Sequence, residues 1–294
     1  MNSGFWILNS EFVCHLVLGH CHYDYDNRVG HLQPILNTAM QTKRLPPPQV
    51  DILGIKIDAV TMDKALSRVE EMLNDGKKHY IVTPNPEFVI TAQKDKEFMK
   101  ILNGADLAIP DGIGIVWASK ILNRSAPSPK NRPNICTERV TGTDLMIQLC
   151  QKAALKGWSI YFLGGKDNIA QKTAENLQKQ LPALRVAGFS SKDPNLPVIS
   201  YELPTADILF VAYGHPRQEK WIAQNLEKLP VKVAMGVGGA FDFIAGRQKR
   251  APRTFQKLGL EWLWRLTTQP WRWKRQLALV KFVYLVVRKK LTKS

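Results

Sequence analysis

Cysteine is scarce in this chain. Four stand among 294 residues, Cys14, Cys21, Cys136 and Cys150, and their spacing makes no disulfide framework. Reduced thiols in a cytosolic protein are the expectation. There is no P-loop lysine pattern and no clean Gly-x-Gly-x-x-Gly. The nearest approach, Gly236-Val237-Gly238, has Phe241 where the last glycine belongs, which speaks against an ordinary P-loop enzyme or dinucleotide dehydrogenase. No apolar run reaches the roughly 20 residues that span a bilayer. The apolar stretches 5–8 and 12–18 are interrupted and follow no basic segment, so a signal peptide is not expected. Acids are nearly missing from residues 247–294, where fourteen Lys/Arg face Glu261 alone. Most of the net charge of +16 therefore sits in the C-terminal tail. Such a tail calls for an anionic partner: nucleic acid, a phosphorylated substrate or an anionic membrane.

Hydrophobic content of 45% supplies a globular core. Three parts are expected: a poorly ordered extension over 1–48, an α/β core over 49–246 and a basic amphipathic appendage over 247–294. Residues 1–39 differ in character from the rest, and Met40 reads as the native start. The His/Cys cluster of Cys14-His15 and His20-Cys21-His22 fits no common zinc spacing. From Val50 onward strands alternate with helices. Residues 52–57 read as a strand pair, 79–82, 105–109, 159–163, 185–188, 207–213 and 231–235 as strands. Helices are expected over 61–73, 88–93, 96–102, 144–156 and 168–180. This alternation predicts a Rossmann-like parallel sheet with helices on both faces. Residues 123–138 form a polar, proline-dotted loop.

The chemistry is expected at Pro110-Asp111-Gly112-Ile113-Gly114. Asp111 falls at the carboxyl end of a strand and the amino end of a helix, the edge where open α/β sheets bind ligands. A carboxylate there serves as a general base, a ribose ligand or a metal ligand; equally, it serves as a helix N-cap. Three further strands run into glycine: Gly164-Gly165, Gly214, and Gly236 with Gly238-Gly239. Glycine lets backbone N–H groups approach a phosphate, so these six are candidates for a nucleotide loop.

Six motifs then fall in one order: Thr83-Pro84-Asn85-Pro86-Glu87-Phe88, residues 105–114, Arg139-Val140-Thr141-Gly142-Thr143-Asp144, residues 161–166, Gly214-His215-Pro216-Arg217-Gln218-Glu219 and residues 236–246. Over about residues 50–275 the chain resembles the WecG/TagA/CpsF glycosyltransferases. The resemblance implies the fold called GT-E and an inverting transfer from a UDP-sugar, typically UDP-N-acetylmannosamine or its uronic acid. The implied acceptor is N-acetylglucosamine on undecaprenyl diphosphate, for teichoic acid or other surface polysaccharide. It also implies a peripheral enzyme on the inner face of the cell membrane. By the same resemblance Asp111 matches the base and Thr83 and Asn85 match active-site and acceptor contacts. Arg139 and Gln218 match substrate contacts, and Arg265, Arg272 and Arg275 match tail arginines that meet the diphosphate.

An inverting transfer needs one base, on the face opposite the leaving group, to take the acceptor hydroxyl's proton. The leaving diphosphate needs cations or N–H donors. The sole Asp-x-Asp, Asp24-Tyr25-Asp26, lies in the extension, so arginines are expected to do this work without an essential metal or other cofactor. In the tail, 255–268 reads as one helix ended by Pro270, followed by Trp271-Arg272-Trp273-Lys274-Arg275 and a nearly apolar run over 276–287. Two readings stay open: an interfacial helix on anionic lipid, or a helix packed on the core with a solvated basic end. Removal of 247–294 takes away none of the glycine-loop strands and is expected to leave the core folded. A nucleic-acid-binding protein, with tail aromatics stacking bases, and a nucleotide-dependent oxidoreductase are the rival functions. The transferred sugar is not legible, and a homo-oligomer stays open.

Overall fold

The computed structural model describes residues 47–123, 135–191, 195, 203–270 and 273–292. The His/Cys cluster, Asp24 and Asp26, the Met40 start, most of the 123–138 loop and Arg272 lie outside the described residues.

The chain enters through a hairpin, β1 (Gln49–Ile52) and β2 (Ile55–Asp58), paired antiparallel. Helix α1 (Met62–Asn74) follows, with the Thr61 hydroxyl accepting from the Lys64 N–H at its start. The remaining strands are β3 (His79–Val82), β4 (Leu107–Ala108), β5 (Ser159–Gly164), β6 (Arg185–Ser190), β7 (Ala206–Ala212) and β8 (Val231–Gly236). They form one sheet in the order β4-β3-β8-β7-β5-β6, every pair parallel. The helices between them are α2 (Pro86–Ala92), α3 (Lys96–Asn103), α4 (Ile113–Leu122), α5 (Gly142–Lys156), α6 (Ile169–Gln180), α7 (Arg217–Asn225) and α8 (Ala240–Ile244).

Period-two alternation shows why the sheet is covered twice. Ile160 and Phe162, Ile208 and Phe210, Val233 and Met235 face a core shared with α1, α5 and α6. Their neighbours Tyr161, Leu163, Leu209, Val211 and Ala234 face the opposite layer with α7. A third cluster joins the hairpin to α2, α3 and α4. Strands buried on both faces read as continuous apolar runs, and a parallel sheet needs such runs.

Three expectations change. The strand over 105–109 shrinks to two residues, Leu107–Ala108. This strand is at the edge, and its Ala108 N–H is taken by the carboxylate of Asp58 at 2.7 Å instead of by another strand. Asp58 is buried, and burial raises its pKa above the ordinary value. The helix expected from 144 begins earlier, at Gly142, because Thr141 is its cap. The single helix over 255–268 is two, α9 (Arg253–Lys257) and α10 (Glu261–Thr268). Gly259 breaks it at φ +72°, and a Cβ there would meet Ile113 at 2.9 Å. Only glycine allows both that backbone and that approach.

The last helix, α11 (Trp273–Leu291), packs on α2 and α4. Phe282 and Val286 are fully buried in the core there. Removing 247–294 therefore costs the core two apolar anchors, although it takes away no strand of the sheet. The opposite face of α11 carries Trp273, Leu277, Val280, Tyr284, Val287 and Leu291, all exposed and spaced four and three apart, as one helical stripe requires. Among the described residues no helix is long and apolar enough to cross a membrane.

Candidate active site

The carboxyl ends of β3, β4, β5, β7 and β8 open into one cleft with two parts. A wide groove of about 1030 Å³ is lined by Gly165, Lys166, Tyr213, Arg217 and Phe243 among others. An inner chamber of about 160 Å³ is lined by Thr83, Asn85, Asp111, His215 and Gln218 among others. Gly214, Gly238, Gly239, Arg265 and Arg275 line both parts, so the two share a wall. This is the crevice where open parallel sheets bind ligands.

Asp111 stands on the chamber wall, placed by backbone: its N–H donates to the Pro84 carbonyl at 3.1 Å and Val140 N–H donates to Pro110. It is not the cap of α4. Gly112 occupies that position, and the Asp111 carboxylate turns to the next helix, accepting from the Gly142 N–H at 3.3 Å. Burial pushes its pKa from the ordinary 3.8 up to about 6. The Gly142 hydrogen bond and the charges of Arg265 and Arg139 oppose that rise, while Glu261 adds to it. The result is a carboxylate that is basic by carboxylate standards yet mostly ionised at neutral pH, as a general base should be. Thr83 is buried beside it, its methyl packing against Gly142.

Asn85 also reaches the chamber, but its Oδ1 is spent on capping α2, accepting from Glu87 and Phe88 N–H groups. Gln218 is similarly engaged. Its Oε1 accepts from Gly214 N–H at 3.0 Å and from Gly238 N–H at 3.1 Å, and its Nε2 donates to Glu219 at 2.7 Å. It thus ties the exit loops of β7 and β8 together. Gly236 makes room for this tie, because a Cβ there would lie 2.7 Å from Gln218 and 2.8 Å from Glu219. Of the six glycines read as a nucleotide loop, Gly165, Gly214, Gly238 and Gly239 line the cleft. Gly164 and Gly236 serve close packing beneath it.

The tail supplies the arginines of the chamber. Arg265 of α10 stacks over Phe243 at 4.8 Å from the ring centre, and Arg275 of α11 joins it on the wall. Arg139 behaves differently. Its guanidinium pairs with Glu261 and donates to the Gln256 carbonyl at 3.1 Å, so it holds the tail and is not among the residues lining either part of the cleft.

Sequence reasoning missed several residues here. Glu219 is buried under the loops, its pKa pushed by that burial up to about 7; its place after Gln218 in the motif was the available signal. His215 stacks on Phe88 with ring centres 4.7 Å apart. Glu261, the lone acid of the tail, could have been singled out by that isolation. Among the described residues no group of three or more His, Cys, Asp and Glu is placed to hold a metal ion.

Relatives match nearly the whole of this architecture. A protein of Bacillus spizizenii is 34% identical over 253 residues, covering 85% of this chain and 92% of its own. One of Bacillus subtilis is 32% identical, covering 78% and 90%, and one of Staphylococcus aureus is 30% identical, covering 82% and 93%. Each is named N-acetylglucosaminyldiphosphoundecaprenol N-acetyl-beta-D-mannosaminyltransferase. Residues 50–294 match the family described as Glycosyl transferase WecG/TagA/CpsF, and the match includes every strand and helix that builds the cleft, from β1 to α11. The chain is a glycosyltransferase and belongs to the WecG/TagA/CpsF family.

Proposed function

We propose that the enzyme moves N-acetylmannosamine, or its uronic acid, from a UDP-sugar to N-acetylglucosamine on undecaprenyl diphosphate, with inversion at the sugar. The observation that carries this reading is the chamber itself: one carboxylate with a raised pKa, on a wall shared with two arginines, opening onto a groove of nucleotide-sugar size. The relatives' names supply the acceptor and the sugar.

Asp111 takes the proton of the attacking hydroxyl while that oxygen bonds to the anomeric carbon and the bond to the UDP oxygen breaks. Thr83 stands beside Asp111 to orient the hydroxyl. Arg265 and Arg275 meet the charge that builds on the leaving diphosphate, with Arg272 as a third cation; Gly165, Gly214 and Gly238 spend their N–H groups on Ala212 and Gln218 and serve the donor by keeping the cleft wall free of side chains. Asn85 offers its amide to the acceptor. Gln218 acts on substrate through the two glycine loops it joins. With guanidinium groups in this place, no metal is needed for leaving-group departure.

The exposed stripe of α11 and the basic Arg288-Lys289-Lys290 at its end fit an interfacial seat on anionic lipid. A lipid-linked acceptor delivers its reacting sugar to that surface, which supports a seat on the inner face of the membrane. The nucleic-acid reading leaves Asp111 and its chamber without work. The test is a donor screen: UDP-sugars offered with a short-chain polyprenyl-diphosphate N-acetylglucosamine, the product read by mass. A mass gain of one N-acetylhexosamine with UDP-N-acetylmannosamine supports the reading; no product from any UDP-sugar overturns it.

A further inference from the structure

Glu261 stands at the first turn of α10, one helical turn before Arg265. Its carboxylate receives two guanidinium groups from different parts of the chain. Arg139, just before α5, pairs with Oε2 and also donates to the Gln256 carbonyl of α9. Arg250, ahead of α9, approaches Oε1 at 3.4 Å. Arg250 is in turn held in a two-pronged pair by Asp144 of α5, at 2.6 and 2.8 Å, and the Thr141 hydroxyl donates to the same Asp144 at 2.6 Å. All four charged groups are shielded, with side-chain exposures between 17 and 34%. Bidentate, partly buried arginine pairs of this kind fix geometry far better than surface ion pairs.

The network has a direction. One end is the amino terminus of α5, whose Gly142 N–H binds the Asp111 carboxylate. The other end is α10, which carries Arg265 to the wall of the same chamber. None of the residues of α10 is fully buried; besides Glu261 it is tied by Trp264 against Phe255 and by Arg265 over Phe243, and Gln269 at its end donates to Gln248 at 2.7 Å. The ion pairs on Glu261 fix its first turn. Arg139 does not line the cleft, although its charge reaches Asp111 and opposes the rise of that pKa.

We propose that Arg139, Arg250 and Glu261 form a latch that seats α10 and so delivers Arg265 to the reaction, and that Glu261 and Arg139 are positioning residues, acting through Arg265 and not on substrate. The proposal deepens the transferase reading and rests on it for its kinetic consequence, but the latch itself is observable without turnover.

Two measurements on the full chain separate the possibilities. The first is hydrogen exchange of the backbone amides of α10. Glu261→Gln, which keeps the shape and removes the charge, and Arg139→Gln, from the other side, should each speed exchange over 261–268 by about tenfold or more while β5, β7 and β8 stay protected. The second is a cycle on kcat/KM. Each latch variant should lower transfer by about tenfold or more, and should add little to the loss already caused by Arg265→Ala, because residues acting through one group are not additive. Glu261→Asp, which keeps the charge, should recover part of both signals. Unchanged exchange over α10 in both Gln variants refutes the latch whatever the activity. Faster exchange with losses that add fully to that of Arg265→Ala refutes the route through Arg265. If the parent shows no transfer, the function falls, and the exchange data still decide on the latch. Should one Gln variant fail to fold, exchange in the other decides.

Discussion

Asp111→Asn should make the protein more stable and nearly inactive, and the two effects should have different pH profiles. Burial raises the Asp111 pKa from its ordinary 3.8 to about 6, net of the attraction of Arg265 and Arg139. A group whose folded pKa is raised stabilises the protein fully below its unfolded pKa and loses that contribution as pH rises through the folded one. The loss thus develops between about pH 4 and pH 6 and is complete above. The rise from 3.8 to about 6 sets an upper bound of about 3 kcal/mol, and solvent on the chamber side brings the expected cost to about 1–2 kcal/mol. Asparagine keeps an oxygen for the Gly142 N–H and has no charge to desolvate. For a domain of this size 1 kcal/mol is about 2–4 °C, so the variant should melt roughly 2–8 °C above the parent at pH 8.

At pH 4 the two melting curves should converge, because the parent's carboxyl is then mostly protonated as well. Above that titration transfer should fall by about 10²–10⁴-fold, the usual worth of a general base, and the gap should narrow at lower pH as the parent's own base is protonated. The parent's kcat/KM should rise with pH along a limb centred near 6, from the same titration. Calorimetry at the two pH values and a rate profile with a soluble acceptor measure all three. Identical melting of the two proteins at pH 8, or a variant with near-parental transfer, would show that Asp111 carries no costly charge or no catalytic duty, and the argument would be wrong.

Asn85→Asp keeps a capping oxygen for the Glu87 and Phe88 N–H groups, so its melting temperature should hold while kcat/KM falls, which calorimetry and kinetics on a soluble acceptor check together. Phe282→Ala should cost about 3–5 kcal/mol in denaturant unfolding, since the ring is fully buried between α11, α2 and α4. Leu277→Ser with Tyr284→Ser removes part of the exposed stripe and should weaken sedimentation with anionic vesicles while sparing the rate on a water-soluble acceptor. Transfer should survive EDTA; loss on chelation with recovery in Mn²⁺ or Mg²⁺ would contradict the assignment of the leaving group to Arg265 and Arg275.

The sheet was legible in the sequence because its strands are buried on both faces. Runs such as Ile208-Leu209-Phe210-Val211 leave no other solution. Asp111 was legible because a proline stop and a glycine start bracket it between β4 and α4. The break at Gly259 was not. The local pattern around it is apolar and helical, and the need for positive φ arises only where the tail lies against Ile113, a contact far away in sequence. The extent of β4 was hidden for the same kind of reason, since the Asp58 carboxylate that completes this edge comes from β2.

What sequence reasoning blurred most was the division of labour among polar residues in one motif set. A motif marks residues that a site requires without saying whether they meet the ligand or one another. Hydrogen-bond capacity separates the two. Gln218 spends its oxygen on two backbone donors and its nitrogen on Glu219; Arg139 spends its guanidinium on Glu261 and the Gln256 carbonyl; Asn85 spends its oxygen on a cap. A group already paired and shielded has little left to offer a substrate, and breaking its pairs leaves buried polar atoms without partners. Asp111, Arg265 and Arg275 line the chamber with few ties of their own. In the proposed transfer the chemistry concentrates on these three, and the motif residues around them are the frame that holds them in place.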